Sequence, residues 1–304
     1  MKSTLKNLVA LCVLLLPFIN NAQAETLFNN IHFDESVAEV EKKLNNIATQ
    51  KNKVVLNNPT FPLAKDQETH LIYNDIKTSH GVINTLVLTF ADNKLCYIEA
   101  IGNAVNCLKK DRKEEARAYL QYEAYFSELV IMNPTRDKVW LLTKESAHPN
   151  LFTWDNPYID QKFVASKVDN DKIPSFIKMG ASMEELQSAF TSNSSFTNTE
   201  ELDGSDPNAQ IQINCFGVEY LGFPRKIEAR FGDDKLNTVW ILTGKGEEDR
   251  VRKALIENYG KPIFVNEAWE IFDNWKIGLR KDKPEILLLT QELGLFYKKE
   301  FFKQ

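Results

Sequence analysis

The sequence predicts an α+β protein built by tandem duplication, in which each half contains two units of a helix followed by an antiparallel meander. Three observations support this fold class. A helix-capping signature occurs twice, a hairpin turn occurs twice, and both recur in the same order at nearly the same separation. One such match can arise by chance, but two matches in register indicate a duplication.

The chain begins with a segment typical of a secretory signal peptide, residues 1–24. Lys2 and Lys6 precede an apolar run that ends at Ile19, and Ala22-Gln23-Ala24 has the small residues that signal peptidase accepts. The run is shorter than the roughly 20 residues needed to cross a bilayer. We therefore expect cleavage after Ala24 and export to the periplasm of a Gram-negative bacterium.

The repeated helix signal lies at Ser36 and Ser182. Each serine stands three residues before a glutamate, Glu39 or Glu185, and apolar residues at helical spacing follow. In such a capping box the serine hydroxyl accepts a hydrogen bond from a free amide of the first turn, and the glutamate accepts one from the serine amide. We therefore predict a helix after each serine.

The repeated hairpin signal is Phe90–Leu95, which recurs as Phe231–Leu236. In both copies a turn rich in Asp, Asn and Gly separates two apolar runs, as in a β-hairpin. The predicted strands are 85–90 and 95–101 in the first copy, and 226–231 and 236–242 in the second.

A shorter repeat is visible inside each half. A turn that contains Asp and Lys precedes an apolar strand at four places in the chain. This predicts four units, each a helix followed by about three strands. The two helices without a capping box are predicted at Arg112–Phe126 and at Glu247–Tyr259, the second closed by Gly260. A polar break near residue 170 places the boundary between the repeats, which are predicted to be residues 25–166 and 167–304.

Charge and composition restrict the function. The formal net charge is -5, and removal of the signal peptide removes two lysines and no acid. A negative protein is poorly suited to nucleic acid, whose binding depends on Lys and Arg that neutralise phosphates. The hydrophobic content of 43% is sufficient for a real core.

Three of the four cysteines follow the signal peptide: Cys96, Cys107 and Cys215. An oxidising compartment permits disulfides, and a short loop can bring Cys96 and Cys107 together. We predict a disulfide between these two and a free Cys215. Sequence spacing does not supply the required Cα geometry, so two free thiols are the alternative.

Residues suited to catalysis or metal binding are sparse. The four histidines, at positions 32, 70, 80 and 148, form no pair with metal-ligand spacing, and no Gly-x-Ser-x-Gly motif occurs. Ser175-Phe176-Ile177-Lys178 matches the Ser-x-x-Lys pattern of penicillin-recognising enzymes, but their Lys-Thr-Gly and Ser-Asp-Asn elements are missing. We therefore expect no catalytic site, no metal and no cofactor.

The segment Leu151–Tyr158 mixes large aromatic residues with turn residues. Aromatic side chains on a rim are favoured anchors of protein interfaces. Phe152, Trp154 and Tyr158 are therefore the predicted protein-binding residues. The alternative is an aromatic plug over the edge of the sheet.

The repeated pattern of a capped Ser-x-x-Glu helix, continued by Leu44 or Phe190 and followed by a meander, resembles the β-lactamase inhibitory protein family and the small outer-membrane assembly lipoproteins. The end of the fourth helix, Val251 to Pro262, also resembles that family's helix terminus. The resemblance implies helices on one face of curved antiparallel sheets and a concave face that grips another protein. Inhibitors of the family have two units where this chain has four, so no contact residue is carried over.

Taken together, these features predict a non-catalytic periplasmic protein that binds another envelope or exported protein, as an inhibitor or immunity factor. The first alternative is a cell-wall or ligand-binding envelope protein. The second is a periplasmic hydrolase, which would need a nucleophile such as Ser175.

Overall fold

The computed structural model describes residues 30–159 and 171–304. These ranges belong to two compact units, called here the first half and the second half. The predicted signal peptide, its cleavage site and the predicted boundary between residues 166 and 167 lie outside the described residues, so these remain predictions.

Within residues 30–159, the first half contains three α-helices and eight strands. In chain order they are α1 (Val37–Leu44), β1 (Thr49–Leu56), β2 (Glu68–Thr78), β3 (Gly81–Ala91), β4 (Lys94–Ile101), α2 (Ala104–Lys109), β5 (Arg117–Tyr119), β6 (Tyr122–Tyr125), β7 (Val130–Asn133), β8 (Lys138–Leu142) and α3 (Lys144–Ala147).

The second half repeats this order. Its elements are α4 (Met183–Ser192), β9 (Phe196–Glu201), β10 (Ile211–Tyr220), β11 (Phe223–Gly232), β12 (Lys235–Leu242), α5 (Glu248–Tyr259), β13 (Phe264–Val265), β14 (Trp269–Phe272), β15 (Ile277–Arg280), β16 (Glu285–Leu289) and α6 (Gln291–Glu300).

Each half forms one antiparallel sheet of eight strands. The strand order is β1-β2-β3-β4-β8-β7-β6-β5 in the first sheet. In the second sheet, read from the edge strand β9, it is β9-β10-β11-β12-β16-β15-β14-β13, so the two sheets correspond strand for strand. The α+β class with two similar halves is thus confirmed. Four strands follow each of α1, α2, α4 and α5, where the sequence predicted about three.

The duplicated local signals build the same local structure in both halves. Ser36 and Glu39 form a complete capping box at α1, and Ser182 and Glu185 form one at α4. Both hairpin turns use residues with positive φ, at 92–93 and at 233–234. Each hairpin also has a register shift immediately before the phenylalanine that both copies share, between Thr89 and Phe90 and between Arg230 and Phe231.

The turn also contacts the start of the helix in each half. The Asn93 side-chain oxygen accepts a hydrogen bond from the Val37 amide at 3.2 Å, and the Asp234 carboxylate accepts one from the Met183 amide at 3.4 Å. Because an amide of the first helical turn has no partner within the helix, this contact ties helix and hairpin together.

One predicted helix is correct and the other is wrong. The helix predicted at Glu247–Tyr259 is α5, which ends at Gly260 with φ of 79°. The helix predicted at Arg112–Phe126 is instead the hairpin of β5 and β6. Its tyrosines alternate across the sheet: Tyr122 contacts the ring of Trp140, whereas Tyr125 belongs to the core that includes α1 and α2. Burial on both faces selects a strand over the local helix preference.

Each half has its own hydrophobic core. In the first half, apolar residues of α1 and α2 share a cluster with alternating residues of β2, β3, β4 and β8. In the second half, Leu186 and Phe190 of α4 and Val251 and Leu255 of α5 share a cluster with β10, β11, β12, β15 and β16.

A buried ion pair anchors α5 to the second sheet. The Arg225 guanidinium on β11 makes a bidentate contact with the Glu247 carboxylate, through Nη1 to Oε1 and through Nη2 to Oε2, the latter at 2.8 Å. Both side chains are almost fully buried. Arg225 also donates to the Tyr220 carbonyl at 3.0 Å, and Glu247 accepts from the Gly244 amide at 2.8 Å. Most of the polar atoms in this pair are therefore satisfied.

The predicted disulfide is wrong in this structure, in which Cys96, Cys107 and Cys215 are all free and buried. Cys96 lies on β4, where its thiol donates to the Thr89 carbonyl at 3.4 Å. Cys107 lies on α2 within the hydrophobic core, where its sulphur accepts a hydrogen bond from the side-chain amide Nδ2 of Asn103 at 3.3 Å. The two sulphurs thus occupy different surroundings.

Candidate functional site

The three predicted binding residues lie in one segment of the first half, residues 151–159, which we call the strap. The strap begins with a short 3-10 helix, Leu151–Thr153. Phe152, Trp154 and Tyr158 are only 3%, 9% and 8% exposed. The rim position that motivated their assignment is therefore wrong, and the alternative of an aromatic plug describes the segment better. Their role in binding a partner stays a prediction.

Aromatic contacts hold the strap against the first sheet. The Trp154 ring lies 5.7 Å from Phe61, 5.9 Å from Tyr97 and 6.2 Å from His70 between centroids. Tyr158 packs on His70 at 4.3 Å. Such separations are typical of favourable aromatic pairs, so the strap is an integral part of this half.

Beneath the strap lies a buried polar cluster formed by Glu68, His70 and Thr89. The His70 ring contacts the Glu68 carboxylate through Nε2 at 2.6 Å and the Thr89 hydroxyl through Nδ1 at 3.0 Å. Glu68 also accepts from the amides of Thr60 and Phe61, at 3.2 and 3.1 Å. Burial alone would raise the pKa of Glu68, but its hydrogen bonds and the charge of His70 outweigh burial and lower the pKa.

The order of hydroxyl, imidazole and carboxylate is that of a nucleophilic triad. However, His70 and Thr89 are fully buried and Glu68 is 3% exposed. A substrate cannot reach Thr89 while Trp154 and Tyr158 cover the cluster. With the strap in place, the arrangement is a buried hydrogen-bond network.

A second polar network links the strap to β4 and β8 through one buried cation. Lys138 Nζ lies 2.8 Å from Glu99 Oε1 and 3.1 Å from Asp155 Oδ1. Arg136 also contacts Asp155, at 2.8 Å. The side chains of Lys138 and Glu99 are 4% and 0% exposed, whereas that of Asp155 is 66% exposed.

The environment separates the two carboxylates by their pKa values. Burial raises the pKa of Glu99 to about 7, against the opposing effect of Lys138. Partial loss of water around the more exposed Asp155 would raise its pKa, but the charge of Lys138 and hydrogen bonds from Lys138 and Arg136 lower it overall. Burial alone would lower the pKa of Lys138, but the neighbouring carboxylates of Glu99 and Asp155 raise its pKa overall. Lys138 and Asp155 are thus charged near neutral pH, and Glu99 is the group whose protonation changes there.

The second half lacks this network at the corresponding positions. Trp240 occupies the place of Glu99, and Glu285 that of Lys138, because the pairings of β12 with β16 match those of β4 with β8. In place of the strap, α6 contributes Leu293 to a cluster with Leu287 and Leu289. The surface under the strap therefore combines apolar residues with a buried ion pair, whereas the cluster that α6 covers in the second half is apolar.

The backbone of α6 lies very close to that of Trp275. A Cβ atom on Gly294 would lie 2.3 Å from the Trp275 carbonyl oxygen, well inside contact distance. Only glycine permits this approach. It brings the helix against the turn at Asp273–Trp275, where three successive residues have positive φ.

Two residues of α6 and the residue that follows the helix are apolar and exposed, and we call them the C-terminal patch: Leu295, Phe296 and Phe301. They are 46%, 55% and 54% exposed. Ring contacts connect Phe296 to Tyr297 at 6.0 Å and Tyr297 to Phe301 at 5.7 Å. The patch is thus continuous with the aromatic residues that support it.

This patch was not predicted from the sequence. Its signal is the pair of aromatic dipeptides at 296–297 and 301–302, which are separated by Lys298, Lys299 and Glu300. Helical spacing alone does not reveal it, because Tyr297 faces the sheet while Phe296 does not.

Across residues 30–159 and 171–304, no group of three or more His, Cys, Asp or Glu side chains is placed to hold a metal ion. Within the same ranges, no helix combines the length and apolar character needed to span a bilayer. Comparison of the chain with protein-family models, with curated proteins and with solved structures gives no match.

Proposed function

We propose that this chain is a non-catalytic, exported periplasmic protein that binds another envelope or exported protein, and that the C-terminal patch is its contact surface. The observation that carries the proposal is the exposure of Phe296 and Phe301, each more than half exposed and joined through Tyr297. Clustered exposed aromatics are typical of interaction sites, whereas apolar residues scattered singly need no explanation.

The sheets themselves offer less to a partner. We infer that the long helices lie on one face of each sheet, since their apolar residues share clusters with alternating strand residues. Separate clusters join the strap to the first sheet and α6 to the second, so these elements cover part of the opposite face. A partner that gripped a bare sheet face would first have to displace these elements, whereas the patch needs no rearrangement.

The chemistry of the patch favours a protein over nucleic acid. Lys298, Lys299 and Lys303 accompany the aromatics, but Glu292 and Glu300 offset two of these charges, and the whole chain is at -5. An apolar centre with a mixed-charge rim is characteristic of protein interfaces. Inhibition or protection of the partner would be the functional outcome.

The test compares the wild type with the double variant Phe296→Ser, Phe301→Ser. The partner is first recovered from periplasm with the wild type and purified, and its affinity for both proteins is then measured by calorimetry. Losing the burial of two half-exposed phenylalanines should cost about 2 kcal/mol, which weakens Kd roughly 30-fold.

Val82→Ser is the matched control, because Val82 is 42% exposed on β3 of the other half. Its affinity should equal that of the wild type. If the double variant also binds with unchanged affinity while remaining folded, the patch is not the contact surface. If the wild type retains no periplasmic protein, the proposed function itself fails.

A further inference from the structure

The strap is held by two donors that also serve Glu99. Lys138 contacts both Glu99 and Asp155. The Tyr97 hydroxyl lies 3.4 Å from Glu99 Oε2 and 3.2 Å from the Leu151 carbonyl of the strap. A phenol has a single hydrogen to donate, so Tyr97 cannot donate to both acceptors at once.

The charge on Glu99 decides where these donors act. When Glu99 is ionised, it competes for the Tyr97 hydrogen and for the charge of Lys138, and it repels Asp155. When Glu99 carries a proton, Tyr97 is free to donate to the Leu151 carbonyl, and Lys138 can pair with Asp155 alone. Both contacts that remain are contacts to the strap.

We propose that a proton on Glu99 latches the strap over the first sheet, and that ionisation of Glu99 loosens it. The asymmetry between the halves supports this assignment. In the second sheet, Trp240 lies at the position that corresponds to Glu99. Because tryptophan does not titrate, the second half has no equivalent switch at this position.

The groups that face Glu99 come from three elements. Lys138 lies on β8, Asp155 on the strap and Tyr97 on the same strand, β4. On the adjacent strand β3, the residue paired with Glu99 is the uncharged Val87. Glu68 and His70 form another titratable pair under the strap, and His70 contacts Tyr158 of the strap. The experiment must therefore distinguish the effect of this pair from that of Glu99.

The direction of the pH effect follows from linkage. Burial raises the pKa of Glu99 to about 7 from its usual 4.5, and opening of the strap exposes the group to water and returns it towards the lower value. Opening therefore releases a proton between these two pH values. The opening equilibrium constant rises by up to tenfold per pH unit in this window and levels off above it.

Asp155 acts in the opposite sense outside this window. Its pKa is lowered while the strap is closed, so opening takes up a proton only at more acidic pH. A rise in opening between pH 5 and 7 is therefore not produced by Asp155.

Hydrogen exchange measured by mass spectrometry tests the latch. Peptides covering residues 151–159 are followed between pH 5 and 8 in the full-length protein, with rates corrected for intrinsic exchange. In the wild type, exchange of the strap should rise by at least about tenfold from pH 5 to 7 and then stay level. Glu99→Gln keeps a neutral group at this position, so its strap should stay protected across the range.

Two further measurements isolate the effect. Asp155→Asn removes the strap's own charge, so its strap should exchange faster than the wild type at pH 5 while it retains the rise towards pH 7. Peptides of β3 and of α6 should show no matching rise, since neither depends on Glu99.

Two results would overturn the latch. If Glu99→Gln keeps the pH dependence of the wild type, another group such as His70 is responsible. If β3 peptides change in parallel with the strap, the proton acts on unfolding of the whole half and not on the strap.

Discussion

Replacing Trp154 by alanine should destabilise the first half strongly. Trp154 is 9% exposed and its ring has three aromatic neighbours within 6.2 Å. Truncation of a buried tryptophan removes its transfer free energy and leaves a cavity, which together cost about 3–5 kcal/mol. For a unit of this size, that corresponds to a fall in Tm of roughly 10 °C or more.

Calorimetry and urea unfolding measure this change, and hydrogen exchange assigns it to one half. Amides of the first sheet should lose protection in Trp154→Ala, whereas those of α4 and α5 should not change. Val55→Ala is the control: at 46% exposure, it should cost less than about 1 kcal/mol. A Trp154→Ala protein that melts like the wild type would refute the plug and restore Trp154 as an exposed binding residue.

Three other predictions concern packing and reactivity. Glu247→Ala leaves the Arg225 charge buried without its partner and should cost about 3–5 kcal/mol in the second half, measured by urea unfolding; a loss below 1 kcal/mol would contradict the buried pair. Gly294→Ala forces a methyl group into the Trp275 carbonyl and should lower Tm and speed proteolysis at the C-terminal end of the chain, and unchanged melting would show that α6 sits elsewhere. Burial raises the pKa of Cys215 to about 11, so its alkylation at pH 8 should be slow in the native protein and fast in urea; rapid native labelling would contradict its burial.

The sequence predicted those parts of the fold that short-range signals determine. The capping box at Ser36 and the turn at Asp92–Asn93 depend on a few neighbouring residues, and both occur as predicted. The hairpin of β5 and β6 was missed because its charged segment has helical preference by itself. Only packing against Trp140, which is distant in sequence, selects the strand.

The candidate sites were harder to predict for the same reason. Phe152, Trp154 and Tyr158 were recognised as unusual, but an exposed rim and a buried plug have the same local sequence. What distinguishes them is the surface formed by Phe61 and His70, far away along the chain. The predicted disulfide failed similarly, since short sequence spacing does not bring a strand residue and a helix residue into bonding geometry.

The strand order has a consequence for folding. In each sheet, every neighbouring pair is consecutive along the chain except the central one, β4 with β8 and β12 with β16. Local meanders close small loops and can form early, whereas the central seam must wait for the last strand of its half. Until β8 arrives, β4 presents a bare edge of mostly apolar residues, the kind that pairs readily with other chains. Aggregation during refolding should therefore depend on how fast these seams close.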